Sequence, residues 1–367
     1  MQPFKVIISG GGTGGHIFPA IAIANALKEK VEGVEILFVG AKGKMEMEKV
    51  PNVGYSIKGL WISGLQRKLT DVRNLLFPFK LISSLWNSFW IVKRFKPQVV
   101  VGTGGYASGP LLFVGSKLGV PALIQEQNSY PGITNKLLAK MVQCICVAYD
   151  NMERFFPKQK MLLLGNPVRQ DILEVATKRG EAITHFGLDE NKKTVLVVGG
   201  SLGARTVNES IALCLDMLTD EDTQLIWQTG VTYAKQAEKD AQGKASVRVL
   251  PFISRMDLAY AAADIVVSRA GASTISELCL IGKPAILVPS PNVAEDHQTK
   301  NAIALLEENA ALMVKDVKAK KELTEVLKKL LQDKGKQKQL AKNIRQLAKH
   351  QSADRIAEEV IKLAQRT

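Results

Sequence analysis

The chain has 367 residues, 46% hydrophobic and 23% charged, which is long for one core and comfortable for two domains. Its formal net charge is +14, and the excess is lopsided: residues 1–165 hold 20 Lys+Arg against 9 Asp+Glu, net +11, leaving 29 against 26, net +3, for 166–367. No apolar run approaches the ~18 residues of a membrane span, no secretory leader is expected, and Cys144, Cys146, Cys214 and Cys279 lack metal-ligand spacing. A soluble or peripheral protein of a reducing compartment is expected, with an acidic surface as partner, either anionic lipid or nucleic acid.

In chain order, Val6-Ile7-Ile8 is short enough for a buried strand and Ala20–Lys28 has helical spacing, so Ser9–Pro19 between them is a strand-to-helix turn. It reads Gly10-Gly11-Gly12-Thr13-Gly14-Gly15-His16. Side chains are nearly absent there, so backbone N–H groups can approach a ligand, and the helix's first turn aims unpaired donors the same way. The expected ligand is an anion, a phosphate. Gly10, Gly12 and Gly15 also match a dinucleotide fingerprint, but the next strand, Glu35–Val39, ends in Gly40 where that fingerprint asks for an acid. His16 stands at the mouth of the turn as a candidate acid or base, or as hydrogen-bonded structure.

Further strands are expected at Val99–Val101, Ala122–Ile124, Ile145–Val147 and Met161–Leu164, separated by helix-sized segments, which is the alternation of a doubly wound parallel sheet. The pattern pauses at Gly165-Asn166-Pro167. Thr194–Val198 then runs into a second turn, Gly199-Gly200-Ser201-Leu202-Gly203, and strands follow at Leu225–Trp227, Val247–Leu250, Ile265–Val267, Ala285–Val288 and Leu312–Val314. The expectation is α/β, with two Rossmann-like domains, 1–165 and 166–350, facing across a cleft and binding ligands beyond the carboxyl ends of their strands.

Between Asp71 and Lys96 the ladders Leu81, Leu85, Phe89 and Ile82, Trp86, Trp90 read as an amphipathic helix packed on the sheet. Ahead of it, Leu75, Leu76, Phe77 and Phe79 form an apolar loop interrupted by Pro78 and flanked by Arg67, Lys68, Arg73 and Lys80, the mixture of an interfacial membrane patch. The Lys-rich helical tail from Lys315 to Thr367 reads as a solvated face.

Three more segments carry chemistry. Gly199-Gly200-Ser201-Leu202-Gly203 fits the nucleophile elbow of an α/β-hydrolase, with Ser201 as nucleophile and His297 as its base, although the duplicated sheets suit a two-domain nucleotide-sugar site better. Ser268–Glu277 is a second anion cradle at a helix N-terminus. Glu277 there either closes a capping box with Thr274 or accepts hydrogen bonds from a ribose. In Pro289–Gln298, Asp296 can cap the next helix and Gln298 can bind a vicinal pair of sugar hydroxyls. Asp220-Glu221-Asp222 precedes a strand and reads as a solvated turn, so neither metal nor cofactor is expected.

Together, Gly11–His16, Gly104-Gly105-Tyr106-Ala107-Ser108-Gly109-Pro110, Glu126-Gln127-Asn128, Gly165-Asn166-Pro167-Val168-Arg169, Gly199–Arg205 and Asp296–Ala302 closely resemble the MurG family of bacterial glycosyltransferases over essentially the whole chain. These peripheral enzymes add N-acetylglucosamine to undecaprenyl-diphospho-N-acetylmuramoyl-pentapeptide in peptidoglycan synthesis. The resemblance implies a GT-B fold, a UDP-N-acetylglucosamine donor, inversion at the anomeric carbon and no metal. It implies donor contacts from Thr13, Gly14, Gly15, Asn128, Arg169, Ser201, Ile253, Gly271, Ala272, Ser273, Thr274, Glu277 and Gln298, and places His297 where some relatives carry a second Gln. A last helix near Gln351–Gln365 would return to the first domain.

On that reading His16 takes the proton of the acceptor's sugar hydroxyl, with Glu126 the next candidate base. Arg169 and the second-domain helix N–H groups hold the departing diphosphate. Gly12, Thr13, Gly104 and Gly105 hold the acceptor's diphosphate. The partners are then the nucleotide sugar, the polyprenyl-linked muramoyl peptide and an anionic membrane surface rather than nucleic acid, with the enzyme peripheral on the cytoplasmic face. The rivals are a diacylglycerol glycosyltransferase of the same fold, a binding module without turnover, and the hydrolase.

Overall fold

The structure, a computed structural model, describes residues 3–64, 75–168, 170–200, 203–220 and 222–365. The chain divides into two compact units, Met1–Val168 with His350–Thr367, and Arg169–Lys349.

The first unit begins β1 (Lys5–Gly10), α1 (Gly14–Lys30), β2 (Glu35–Ala41), α2 (Glu46–Asn52), β3 (Ser56–Leu60) and α3 (Phe77–Phe95). It continues β4 (Val99–Gly104), α4 (Ser108–Lys117), β5 (Ala122–Glu126), α5 (Ile133–Leu138), β6 (Cys144–Val147) and β7 (Met161–Leu163). Its seven strands are all parallel, in the order β3-β2-β1-β4-β5-β6-β7. The strand order reverses between β1 and β4, and in such sheets ligands bind outside the carboxyl ends at that switch point. The turn Gly10–Gly15 and the loop Gly104-Gly105 both lie there.

Strand β3 has no counterpart in the sequence reading. Ser-Ile-Lys-Gly-Leu is a short edge strand in which only Leu60 is buried, so its apolar signal is weak.

The second unit runs α6 (Arg179–Phe186), β8 (Lys193–Val198), α7 (Arg205–Ala212), α8 (Leu215–Asp220), β9 (Thr223–Gln228), α9 (Ala234–Asp240), β10 (Val247–Leu250) and α10 (Met256–Ala262). It continues β11 (Ile265–Ser268), α11 (Ala272–Ile281), β12 (Ala285–Leu287), α12 (His297–Glu307), β13 (Leu312–Met313), α13 (Ala319–Gln332) and α14 (Lys334–Gln346). Its six parallel strands lie in the order β10-β9-β8-β11-β12-β13, with the switch between β8 and β11.

The last helix, α15 (Ser352–Gln365), belongs to the first unit and packs on α1. Ile356, Ala357, Val360 and Leu363 enter the same core as Ile17, Ile21 and Ala24. Lys30 Nζ ties the two helices together at 3.0 Å from Glu358 and 3.7 Å from Asp354.

Helix α3 forms where periodicity places it, with the ladder Leu81, Leu85, Phe89 half-buried as expected and the ladder Ile82, Trp86, Trp90 turned outward. Ser84, Ser88 and Val92 are its buried residues, and the helix packs against α4, while Phe79, Ile82, Trp86 and Trp90 are exposed. Ser84 Oγ donates to Trp61 O at 3.0 Å and to Lys80 O at 2.7 Å, so the hydroxyl is satisfied inside. Small serines occupy the buried face, and the bulky ladder Ile82, Trp86, Trp90 is left outward. Phe77 turns inward with Leu81 against the core, whereas Leu75, Leu76 and Phe79 stay exposed. Arg67, Lys68 and Arg73 lie outside the described residues.

Candidate active site

In the first unit the two glycine loops are stitched into one structure. Gly11 N–H donates to Gly104 O at 3.3 Å, Thr103 Oγ1 donates to His16 O at 2.7 Å, and Ser108 Oγ donates to Ser9 O at 2.9 Å and Gly104 O at 2.8 Å. Gly105, at φ +89°, lies so close that a Cβ there would stand 2.3 Å from Gly11 O; one on Gly104 would stand 2.9 Å from the His16 ring. Only glycine allows that approach.

Behind the first turn lies a residue that the sequence reading missed. Glu46, at the start of α2, is fully buried, and its carboxylate accepts the N–H of Gly12 at 2.9 Å and of Ala41 at 2.9 Å. Gly12 therefore gives the turn its φ of +84° but not a donor for a ligand, a correction to its place in the expected cradle. The amides of Thr13, Gly14 and Gly15 have no protein acceptor among the described residues, and α1 begins at Gly14 with Thr13 as its N-cap. The anion-binding capacity of the turn thus rests on those three N–H groups and the helix dipole.

His16 is half-buried in the first turn of α1, and its Nδ1 lies 2.8 Å from Gln127 Oε1. Glu126, named above as the second candidate base, is 1% exposed and fully engaged. Its Oε1 accepts from Asn128 N at 3.1 Å and Asn128 Nδ2 at 3.3 Å, and its Oε2 from Gly132 N at 3.1 Å and Asn135 Nδ2 at 2.8 Å. It shapes the loop that carries Asn128, and with four donors on its two oxygens it has no lone pair aimed at a substrate.

In the second unit the equivalent switch point joins the Gly199-Gly200 turn to the start of α11. Gln228 Nε2 donates to Gly200 O at 2.9 Å, and Gly203, at φ +77°, packs where a Cβ would stand 2.2 Å from Thr229 O. Ser201 and Arg169 lie outside the described residues. Helix α11 has Gly271 as N-cap, and its backbone bonds begin with Ile275 N–H to Gly271 O at 2.9 Å. The amides of Ala272, Ser273 and Thr274 are left without helical acceptors, an anion cradle. This excludes the capping box. Thr274 is third in the helix rather than its cap, and Glu277, 8% exposed, accepts instead from Tyr260 Oη at 2.8 Å.

Gln298 Oε1 accepts from Ser290 N at 2.8 Å, which pins the side chain across its loop and leaves Nε2 as donor. Asp296 accepts from Thr299 Oγ1 at 2.8 Å, and His297 opens α12. Ile253 is buried just beyond β10. Arg269, inside the cradle sequence, is spent on structure: it donates to Val288 O at 3.0 Å and pairs with Asp316. Among the described residues no group of His, Cys, Asp or Glu could hold a metal ion. All four cysteines are buried, and burial pushes the Cys279 thiol up to about 12, which leaves it without nucleophilic character at neutral pH.

Comparison with known proteins agrees along the full length. The N-terminal domain of glycosyltransferase family 28 matches residues 6–147, and its C-terminal domain matches residues 194–360. A UDP-N-acetylglucosamine--N-acetylmuramyl-(pentapeptide) pyrophosphoryl-undecaprenol N-acetylglucosamine transferase of Flavobacterium psychrophilum is 59% identical over 365 residues, covering 100% of this chain and 99% of that one. The enzyme of the same name from Parabacteroides distasonis is 54% identical, covering 99% of each chain. The crystal structure of Acinetobacter baumannii MurG superposes with a TM-score of 0.81 at 29% identity, covering 98% of this chain and 100% of that one. Identity of this extent from end to end, on two parallel sheets of the GT-B kind, makes the chain a member of glycosyltransferase family 28 and, within it, of the MurG family.

Proposed function

We propose that the protein transfers N-acetylglucosamine, with inversion, from UDP-N-acetylglucosamine to the N-acetylmuramoyl sugar of an undecaprenyl-diphosphate-linked pentapeptide. The observation that carries the reading, beside the family, is the placement of His16: an imidazole against Gly104, one residue beyond three amides that have no protein acceptor among the described residues. Thr13, Gly14 and Gly15 with the Gly104-Gly105 loop take the acceptor's diphosphate. His16 takes the proton of the acceptor hydroxyl as its oxygen bonds to the anomeric carbon, and the electron pair of the breaking C–O bond leaves with UDP. In the second unit the N-terminus of α11 and Arg169 receive that charge, Glu277 accepts from the ribose hydroxyls, and Gln298 Nε2 reaches the sugar. A hydrolase built on Ser201 falls with the family assignment.

The acceptor's lipid stays in a bilayer, so the enzyme comes to the membrane. The outward ridge of α3 supports a docking role: Phe79, Ile82, Trp86 and Trp90 are exposed, Lys80 Nζ lies 5.9 Å from the Trp61 ring centroid, and Lys93 and Arg94 lie 5.9 and 5.5 Å from that of Trp90. Aromatic residues beside cations suit the headgroup region of an anionic leaflet. No described helix is long and apolar enough to cross a membrane.

The test is to incubate the protein with radiolabelled UDP-N-acetylglucosamine and either a short-chain analogue of the muramoyl lipid or diacylglycerol. Label in the muramoyl lipid alone is the expected result; label in diacylglycerol instead would overturn the choice of acceptor.

A further inference from the structure

His16 has two ring nitrogens, and only one that lacks a proton can take another. Gln127 decides which. Its side-chain nitrogen lies 2.7 Å from Thr103 O and 3.0 Å from Gln125 O, both backbone carbonyls that can only accept, so this end of the amide is the NH2 group. The other end, Oε1, is therefore an acceptor, and it faces His16 Nδ1 at 2.8 Å.

The orientation is secured a second time by a closed circuit of amides. Gln127 Nε2, whose two N–H groups are shared among three acceptors, also faces Gln125 Oε1, Gln125 Nε2 donates to Asn166 Oδ1 at 2.8 Å, and Asn166 Nδ2 donates back to Gln127 O at 3.0 Å. All three residues are 3% exposed or less. Turning over Gln125 or Asn166 would set donor against donor and acceptor against acceptor among buried groups, and turning over Gln127 would set its oxygen against carbonyl oxygens. The direction of the whole circuit is fixed by backbone carbonyls, which cannot reverse.

We propose that Gln127 is a positioning residue of the transfer reaction: it holds His16 with the proton on Nδ1 and so presents the bare Nε2 as the nitrogen that deprotonates the acceptor. A neutral amide does here what a carboxylate does in a His–Asp pair, fixing tautomer and ring plane without adding a negative charge beside two diphosphate-bearing substrates. Asn166, two residues before the end of the first unit's main span, is part of the same circuit, so the base is held from the segment leading into the second unit. The inference rests on His16 being the base, and the measurements separate the two.

The tautomer is read without turnover. In protein labelled with 15N-histidine, two-bond proton–nitrogen correlations distinguish the nitrogens, and His16 is assigned among the four histidines by its loss in His16→Ala. The expected result is a protonated Nδ1 and a bare Nε2, the reverse of the form free histidine prefers; a protonated Nε2 overturns the proposal. Kinetically, Gln127→Leu removes the acceptor and should lower kcat about 10- to 100-fold with the donor KM within a few-fold. Gln127→Glu keeps the acceptor that faces Nδ1 but sets its second oxygen against Thr103 O and Gln125 O, so it should recover only part of the kcat lost in Gln127→Leu, while moving the acid limb of the pH profile upward, because a carboxylate favours the imidazolium. Parental kcat in Gln127→Leu overturns the positioning role. Parental kcat in His16→Ala overturns the base instead, whatever the tautomer. Should Gln127→Leu fail to fold, the spectrum of the unaltered protein and the pH profile of Gln127→Glu still decide.

Discussion

Replacing Ile82 and Trp86 together by serine tests whether the ridge of α3 holds the protein on a bilayer. The two side chains are 66% and 63% exposed, and large side chains carry about 150–250 Å² each, so the pair offers the lipid roughly 250 Å². At about 25 cal/mol per Å² this is ~6 kcal/mol for full immersion and ~3 for immersion to half depth. A loss of 3 kcal/mol is about 100-fold in partitioning. Lys80, Lys93 and Arg94 add about 1 kcal/mol each near an anionic leaflet, and salt screens that part within a few ångströms at 1 M. Sedimentation with anionic vesicles at low and high salt therefore separates two contributions. The parent should lose only part of its binding at high salt, and the double variant nearly all of it. Its UDP affinity and melting temperature should stay near the parent's, because both side chains lie outside the core. Phe77 is unsuited to this experiment, since it packs inward. If the double variant sediments at high salt as the parent does, the ridge is not the docking face.

Glu46→Gln keeps the shape of the buried side chain but sets an NH2 group against one of the two backbone donors it now receives. It should cost ~1–3 kcal/mol and raise the KM for the lipid acceptor more than that for the donor; an unchanged acceptor KM would leave Glu46 a purely structural clamp. Tyr260→Phe removes a hydroxyl that donates to Glu277 and should weaken UDP binding measured by calorimetry, as should Glu277→Gln; equal affinity in both would detach Glu277 from the ribose. Asp257, beside Arg255 at 2.9 Å and Lys178 at 3.1 Å, has its carboxyl held well below the usual range, chiefly by the hydrogen bond from Arg255. Its contribution is therefore present above the unfolded carboxylate value of about 4 and lost as pH falls below it. Asp257→Asn should lower the melting temperature at pH 7, with the gap to the parent closing below about pH 4; a gap independent of pH would refute the linkage. Transfer should proceed in excess EDTA, and activity lost there and restored by magnesium would show that a cation shares the charge of the leaving diphosphate.

The amino-acid sequence by itself was enough for the two-sheet plan, both glycine turns and the family, because these are local. Short apolar runs, helical spacing and clustered glycines report on their own few residues. Tertiary structure decided the rest. Periodicity predicts α3 and marks its apolar ladders, but a period carries no direction, and only the packed structure buries Ser84, Ser88 and Val92 and leaves Trp86 and Trp90 outward. Thr274 and Glu277 have the spacing of a capping box, yet the helix starts at Ala272 with Gly271 as its cap, three residues too early for Thr274 to cap it. Glu46 sits 34 residues from the amide of Gly12, and Gln127 lies 111 from His16. No spacing along the chain links such partners, since they meet only where parallel strands bring the ends of distant segments to one edge of a sheet. There, burial makes an unmet polar group costly, and that cost selects the partner.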